Sequence, residues 1–370
     1  MKIGLNATCF NQRPSGAKQR FIGIYNKVFH QMSDDEFIVF QPSDCQMHSW
    51  FDNHNNVRFV NTPIPSEGRL LKAFKGFFYW PKTLNSLELD IFEIFNLPYI
   101  HSNAKKTLVT IHDLRGLGDE NHFLYRYFFG RIFTIALKRA DRVITGSMCI
   151  KRDLQDLVRT ASISIIYNGV DIQDFQSIAK QSINDFQEKF KINNPFLLAV
   201  GHFEKRKNYI QLIDALATIE YKEPTLSLVI IGNDNGELAQ IREHIVKLGL
   251  EQKVYILQGL SDQEVQVAYK LAKIFIFPSL YEGFGIPVIE AMAAGTPMIL
   301  SNISAFKEIT ENKGIYFNLN EQSSLANMIL LLLEDSNMRN SIIHYGQGRV
   351  DDFSFEKIAI NVQDLYKEIS

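Results

Sequence analysis

Cysteine and tryptophan are scarce in this chain, at three and two of 370 residues, and nowhere do 18 apolar residues follow one another. Cys9, Cys45 and Cys149 offer neither the even count of a disulfide framework nor a C-x-x-C spacing, which excludes a disulfide-built scaffold and a cysteine zinc site. A reducing, cytosolic compartment is therefore expected. The opening Met1-Lys-Ile-Gly-Leu-Asn6 lacks the long apolar core of a signal peptide, so neither an export signal nor a membrane span is expected. A surplus of one charge sign is missing too. The net charge is −2, and nucleic acid, which selects strongly basic surfaces, is not an expected partner. No repeat of solenoid period, no low-complexity tract and no G-x-x-x-x-G-K-[ST] loop occurs, so kinase-like phosphoryl transfer is excluded.

What is present points to a well-filled globular protein. Hydrophobic residues make up 46% of the chain and 28 residues are Phe, and a length of 370 residues suits two domains. Charge divides unevenly along it. Residues 1–172 hold 21 Lys and Arg against 16 Asp and Glu, and the remainder holds 18 against 25, so the first half is expected to face something anionic.

Short β-branched or apolar runs alternate with longer helical patterns throughout, the rhythm of βαβ units and parallel sheets. It is read twice. The first half gives strands near 2–5, 36–39, 90–95, 107–111, 142–145 and 163–166, with helices near 16–32 and 121–139. The second gives strands near 196–200, 226–231, 253–257, 274–277 and 297–300, with helical stretches starting near Asn208, Asn235, Asp262 and Ile286. The turn residues Tyr167-Asn168-Gly169-Val170-Asp171 mark a hinge. The expected class is α/β, with two doubly wound, Rossmann-like domains at 1–172 and 173–354. A last helix, about 355–370, can pack on either domain, the first included.

Two stretches carry chemistry. Phe277 to Pro297 leaves a strand, crosses a loop containing Glu282, Gly283, Phe284 and Gly285, and opens a helix with Pro287 near its first position. Backbone amides of Phe284, Gly285 and Ile286 are expected at that helix start, where the dipole favours an anion such as a diphosphate. Glu290, read as two turns into the helix, and Glu282 are carboxylates suited to vicinal hydroxyls of a sugar and a ribose. The plainer alternative is an ordinary βα turn with Glu290 in solvent. Gly201-His-Phe-Glu-Lys-Arg206-Lys207-Asn208 follows another strand. Arg206 and Lys207 would face the crevice where open α/β sheets bind ligands and would neutralise a departing diphosphate without metal. A solvated basic loop is the alternative.

These motifs resemble the retaining glycosyltransferases of the two-domain GT-B fold, specifically the GT4 family. The likeness covers most of the chain: Ser15-Gly16, Ile111-His112-Asp113-Leu114, Arg139-Ala140-Asp141 leading to Ser147, Asn168-Gly169-Val170-Asp171, the Arg206-Lys207-Asn208 loop, Gly259, and Glu282 to Glu290 with Gly295 behind. The resemblance implies two Rossmann-like domains facing a central cleft, donor in the second and acceptor in the first. It implies that Arg206 and Lys207 bind the donor diphosphate, Glu282 the donor sugar and Glu290 the ribose. It implies also that Gly16 lets a loop approach the phosphates and that His112 lies near the reacting carbon. The sequence departs from the family pattern at His202, where many members have arginine, and at Asn208, where many have glycine.

By the same resemblance the donor is a nucleotide-diphosphate sugar, GDP-mannose or a UDP-hexose, and the acceptor a glycan or lipid-linked glycan. Retention of configuration, no cofactor and no metal are expected, in keeping with the absence of Asp-x-Asp from the chain. A sugar-nucleotide epimerase or a phosphorylase of this architecture, and a non-catalytic nucleotide-sugar-binding protein, are the alternatives. One further stretch, 69–81, mixes cations with large apolar side chains at helical spacing. It suits peripheral contact with an anionic membrane or a core-facing helix with its cations in water, and the second reading is preferred.

Overall fold

The computed structural model describes residues 1–13, 15–95, 98–112, 114 and 123–370. It forms two compact units, Met1–Gly169 with Phe355–Ser370, and Val170–Ser354. The first unit contains, in order, β1 (Lys2–Asn6), α1 (Gly16–Gln31), β2 (Glu36–Gln41), β3 (Val57–Asn61), α2 (Arg69–Asn85), β4 (Ile91–Ile94), β5 (Lys106–Ile111), α3 (Phe123–Arg139), β6 (Arg142–Thr145), α4 (Met148–Leu157) and β7 (Ile163–Ile165). The second contains α5 (Ile172–Gln176), α6 (Lys180–Phe190), β8 (Phe196–Val200), α7 (Tyr209–Ile219), β9 (Ser227–Ile231), α8 (Leu238–Lys247), β10 (Val254–Leu257), α9 (Asp262–Leu271) and β11 (Ile274–Phe277). It ends with α10 (Ile286–Ala294), β12 (Met298–Ser301), α11 (Ser304–Ile309), β13 (Ile315–Phe317), α12 (Ser324–Glu334) and α13 (Ser336–Arg349), and the chain then returns to the first unit as α14 (Phe355–Ile369).

Both sheets are parallel throughout. Their strand orders are β3-β2-β1-β4-β5-β6-β7 and β10-β9-β8-β11-β12-β13. In each sheet the order reverses beside its first strand, between β1 and β4 in one and between β8 and β11 in the other, and such switch points are where doubly wound sheets bind ligands. Strands such as Phe196–Val200 and Ile274–Phe277 are almost entirely apolar, because helices cover both faces of a parallel sheet.

In the first unit, alternate strand residues feed two separate cores. Ile3, Leu5, Phe37 and Val39 pack with Phe21 and Val28 of α1 and with Ile358 and Val362 of α14. Ile38, Phe40, Phe92 and Val109 pack with Trp80 and Leu84 of α2, Phe133 and Leu137 of α3, and Ile150 of α4. The helix α14 lies so close to α1 that a Cβ on Gly23 would sit 2.2 Å from the Phe355 ring.

The strands β3 and β13 and several helices, α4 and α12 among them, are additional to those read from the sequence. Val57–Asn61 mixes half-buried and exposed positions, with Arg58 inside it, and so it lacks the apolar run that marks the inner strands. Asp113 and residues 121–122, parts of the expected motif and helix, lie outside the described residues.

Candidate active site

The loops after β8 and β11, neighbours at the switch point, meet through one carboxylate. Glu282 Oε1 accepts from Lys207 Nζ at 2.7 Å and from Ser279 Oγ at 2.9 Å, and its Oε2 lies 2.7 Å from Arg206. Arg206 also donates through Nε to Glu204 at 2.6 Å and through a terminal nitrogen to the Tyr281 carbonyl at 3.2 Å. Asn235 holds the other Glu204 oxygen at 2.8 Å. The main chains are joined as well, since the Leu280 amide donates to the Arg206 carbonyl at 2.8 Å. Lys207 and Glu282 are buried, at 6% and 9% exposure, and Lys207 Nζ sits 4.5 Å from the centre of the Phe277 ring, a cation–π contact.

Local sequence builds this loop. Lys205–Lys207 forms a single 3₁₀ turn that Asn208 ends in the left-handed region at φ 55°. Asn is among the few side chains that tolerate that region, which glycine enters freely. This explains how Asn208 serves where the family pattern has glycine. Gly201 at φ 150° leaves room for Lys207, whose Cε would lie 3.0 Å from an added Cβ. His202, the second departure, is exposed.

Electrostatics follow from burial and charge. Burial pushes the Glu282 carboxyl up, but Lys207 and then Arg206 outweigh it and hold the group below its usual range. Burial lowers the Lys207 ammonium, and the facing Glu282 works against that fall.

The helix start lies where the sequence places it. The helix α10 begins at Ile286, with Gly285 as its N-cap at φ 122°, and an added Cβ there would come 2.9 Å from Phe306. Pro287 has no amide hydrogen, and the Val288 amide donates to the Gly285 carbonyl at 2.9 Å. The Phe284 ring is buried against Phe353 at 5.9 Å. The loop from Gly283 to Gly285 thus leads into the helix, and Phe284 is an anchor in the unit's interior. Glu290 lies one turn into α10, where two had been read. It is half-buried, accepts from Tyr269 of α9 at 2.8 Å, and is pushed up to about 7 by burial, with Asp262 adding to the rise.

Two further candidates belong to the first unit. Gly16 is the exposed first residue of α1, capped by Ser15, whose Oγ accepts from the Lys18 amide at 3.2 Å. His112 directly follows β5 and is half-buried. Ser147 caps α4 and Asp141 accepts from the Thr107 amide at 2.8 Å, so these two motif residues build the scaffold. Sequence reasoning passed over Glu204, Ser279 and Tyr269. Glu204 had a local signal, a carboxylate two residues before Arg206, whereas Ser279 and Tyr269 look like any strand-end serine and core tyrosine.

A family model described as "Glycosyl transferases group 1" matches residues 180–349, and one described as "Glycosyltransferase Family 4" matches residues 32–174. The chain belongs to the family 4 glycosyltransferases. Among the relatives of this family 4 chain, the O-antigen chain mannosyltransferase RfbU of Salmonella typhimurium is 31% identical over 60% of this chain and 59% of its own. The match thus spans about three fifths of that relative. The N-acetylgalactosamine-N,N'-diacetylbacillosaminyl-diphospho-undecaprenol 4-alpha-N-acetylgalactosaminyltransferase of Campylobacter jejuni is 28% identical over 89% of this chain and 88% of its own. The Anabaena HepE protein, solved with UDP and glucose, shares the fold at a TM-score of 0.75 and 20% identity, with all of both chains covered.

Proposed function

We propose that this chain transfers a hexosyl group from a nucleotide-diphosphate sugar to a hydroxyl of a glycan or lipid-linked glycan, with retention of configuration and without metal or cofactor. The observation that carries the proposal is the Glu282 carboxylate shared between Lys207 and Arg206 at 2.7 Å each. Two cations share this carboxylate, and Arg206 pairs with Glu204 as well, so the site is a charge cluster that a diphosphate can open. The diphosphate takes the cations, and Glu282, released from part of its pairing, accepts hydroxyls of the donor sugar.

In transfer, the bond from the anomeric carbon to the phosphate oxygen breaks while the acceptor oxygen bonds to that carbon on the same face. The acceptor's proton passes to the departing phosphate. Charge grows on the diphosphate, where Arg206, Lys207 and the dipole of α10 stabilise it. Glu204 fixes the Arg206 guanidinium in place. Glu290 contacts the ribose, Gly16 admits the phosphates, and His112 borders the reacting carbon on the acceptor-binding unit. Two relatives named as a mannosyltransferase and an N-acetylgalactosaminyltransferase, and a fold neighbour solved with UDP, support GDP-mannose and UDP-hexoses as the donors to try.

The test uses Glu282→Gln, which removes the charge but keeps an oxygen that can accept from Lys207, whereas Glu282→Ala would leave the buried Lys207 with neither, at a cost of about 3–5 kcal/mol. A thermal-shift panel of GDP, UDP and their sugars identifies the donor. The Gln variant is expected to bind the matching nucleoside diphosphate at least as tightly as the parent. It should transfer sugar on the order of a hundredfold more slowly. Arg206→Ala and Lys207→Ala should weaken nucleotide binding by at least about tenfold. Unchanged nucleotide affinity in both cation variants would refute the site, and an inverted product anomer, seen by proton NMR, would refute retention.

A further inference from the structure

The preferred reading of 69–81, a core-facing helix with only its cations in water, is incomplete, because α2 carries a second apolar stripe beside the one that faces the core. Gly76, Trp80 and Leu84 point into the core. Leu70, Phe74, Phe77 and Phe78 are 88%, 65%, 75% and 63% exposed. The spacing i, i+4, i+7, i+8 puts these four on one stripe, and a helix with two apolar stripes has a second apolar environment to meet.

The same sheet face carries a second helix of this kind. Trp80 and Leu84 of α2 share one core with Phe133 and Leu137 of α3, so the backs of both helices lie on that face. Outward, α3 exposes Tyr127, Phe128 and Ile135 at 57%, 60% and 43%. Arg131 stands among them, bonded to the Tyr127 hydroxyl at 3.2 Å. The charge on these elements has one sign: α2 and α3 together contain eight Lys and Arg and no Asp or Glu.

We propose that the outward faces of α2 and α3 form one platform that seats on an anionic lipid bilayer. Phenylalanine and leucine tips enter the boundary between headgroups and acyl chains, and Lys82, Arg131 and Lys138 pair with lipid phosphates. A bilayer suits this surface better than a protein partner does. It accepts apolar tips spread over two convex helices without a complementary groove, and its headgroups supply the anions that these helices lack. Among the described residues no helix is long and apolar enough to cross a membrane, so seating is peripheral. The proposal stands independently of the donor site's charged residues Arg206, Lys207 and Glu282, which lie in the other unit.

The experiment is co-sedimentation of the full chain with phosphatidylcholine vesicles, with and without phosphatidylglycerol. Binding is expected only with phosphatidylglycerol and should fall as salt rises. Each cation near an anionic surface is worth roughly fivefold, so Lys82→Gln with Arg131→Gln and Lys138→Gln should cost on the order of a hundredfold in partitioning. Phe77→Ser with Phe78→Ser should cost at least about tenfold. All five positions are exposed, and circular dichroism melting confirms that each variant folds. A parent chain that stays in the supernatant at low salt overturns the proposal. Equal binding to neutral vesicles overturns it too. So does concentration-dependent dimerisation, without vesicle binding, that the Phe variant abolishes.

Discussion

Glu282 and Glu290 belong to one loop-and-helix segment, yet their surroundings move their protons in opposite directions. Glu282 faces Lys207 and Arg206 and stays ionised. Glu290, half-buried beside Tyr269, is raised from an ordinary 4.5 to about 7. The sign of the consequence follows from linkage: between these two values the folded state holds a proton that the unfolded state releases, so stability falls as pH rises from 4.5 to about 7 and is level above. Glu290→Gln removes that slope. Urea unfolding at about pH 5 and about pH 8 should show the variant gaining on the parent by on the order of 1–2 kcal/mol, after allowance for solvent. An equal difference at both pH values would disprove the raised carboxyl. The sequence made the candidacy of both glutamates legible but not their environments. Those depend on Ser279, Tyr269 and Lys207, residues from separate turns and strands.

At the level of elements, the helices and strands with strong local signals were readable and those sustained by packing were not. Asp262 begins α9 in a full capping box between Ser261 and Glu264, a pattern visible in the sequence. The three-residue β13 exists because β12 pairs with it. The attachment of α14 was likewise undecided by its amphipathic pattern. Tyr366, fully buried, donates to Glu93, and Tyr25 donates to the same Glu93 oxygen at 2.7 Å. Thr110 holds the other oxygen at 2.7 Å. Tyr366→Phe leaves this buried carboxylate with one donor fewer, and should destabilise the first unit by about 1–3 kcal/mol. A thermal transition unchanged from the parent's would show that apolar packing alone binds the helix.

The whole molecule divides its labour between two sheets, one within Met1–Gly169 plus α14 and one within Val170–Ser354. Calorimetry can separate them. A nucleoside diphosphate at about a hundred times its Kd should add about 2.7 kcal/mol to the unit that binds it. The transition of Val170–Ser354, which holds Arg206, Lys207 and Glu282, should rise more, while Tyr366→Phe lowers the other. An equal rise in both transitions would count against a donor site built mainly by Val170–Ser354.

By itself the sequence determined the α/β class, the double parallel rhythm, the family motifs, and the two charged loops after β8 and β11. All of these are written in short-range periodicity and spacing. Tertiary structure alone decided that Glu282 bridges both cations, that Phe284 anchors inward, and that α2 and α3 turn aromatic side chains to solvent. A partner's distance, a group's burial and the direction of a helix face all depend on which strands become neighbours. No local window of residues contains that information.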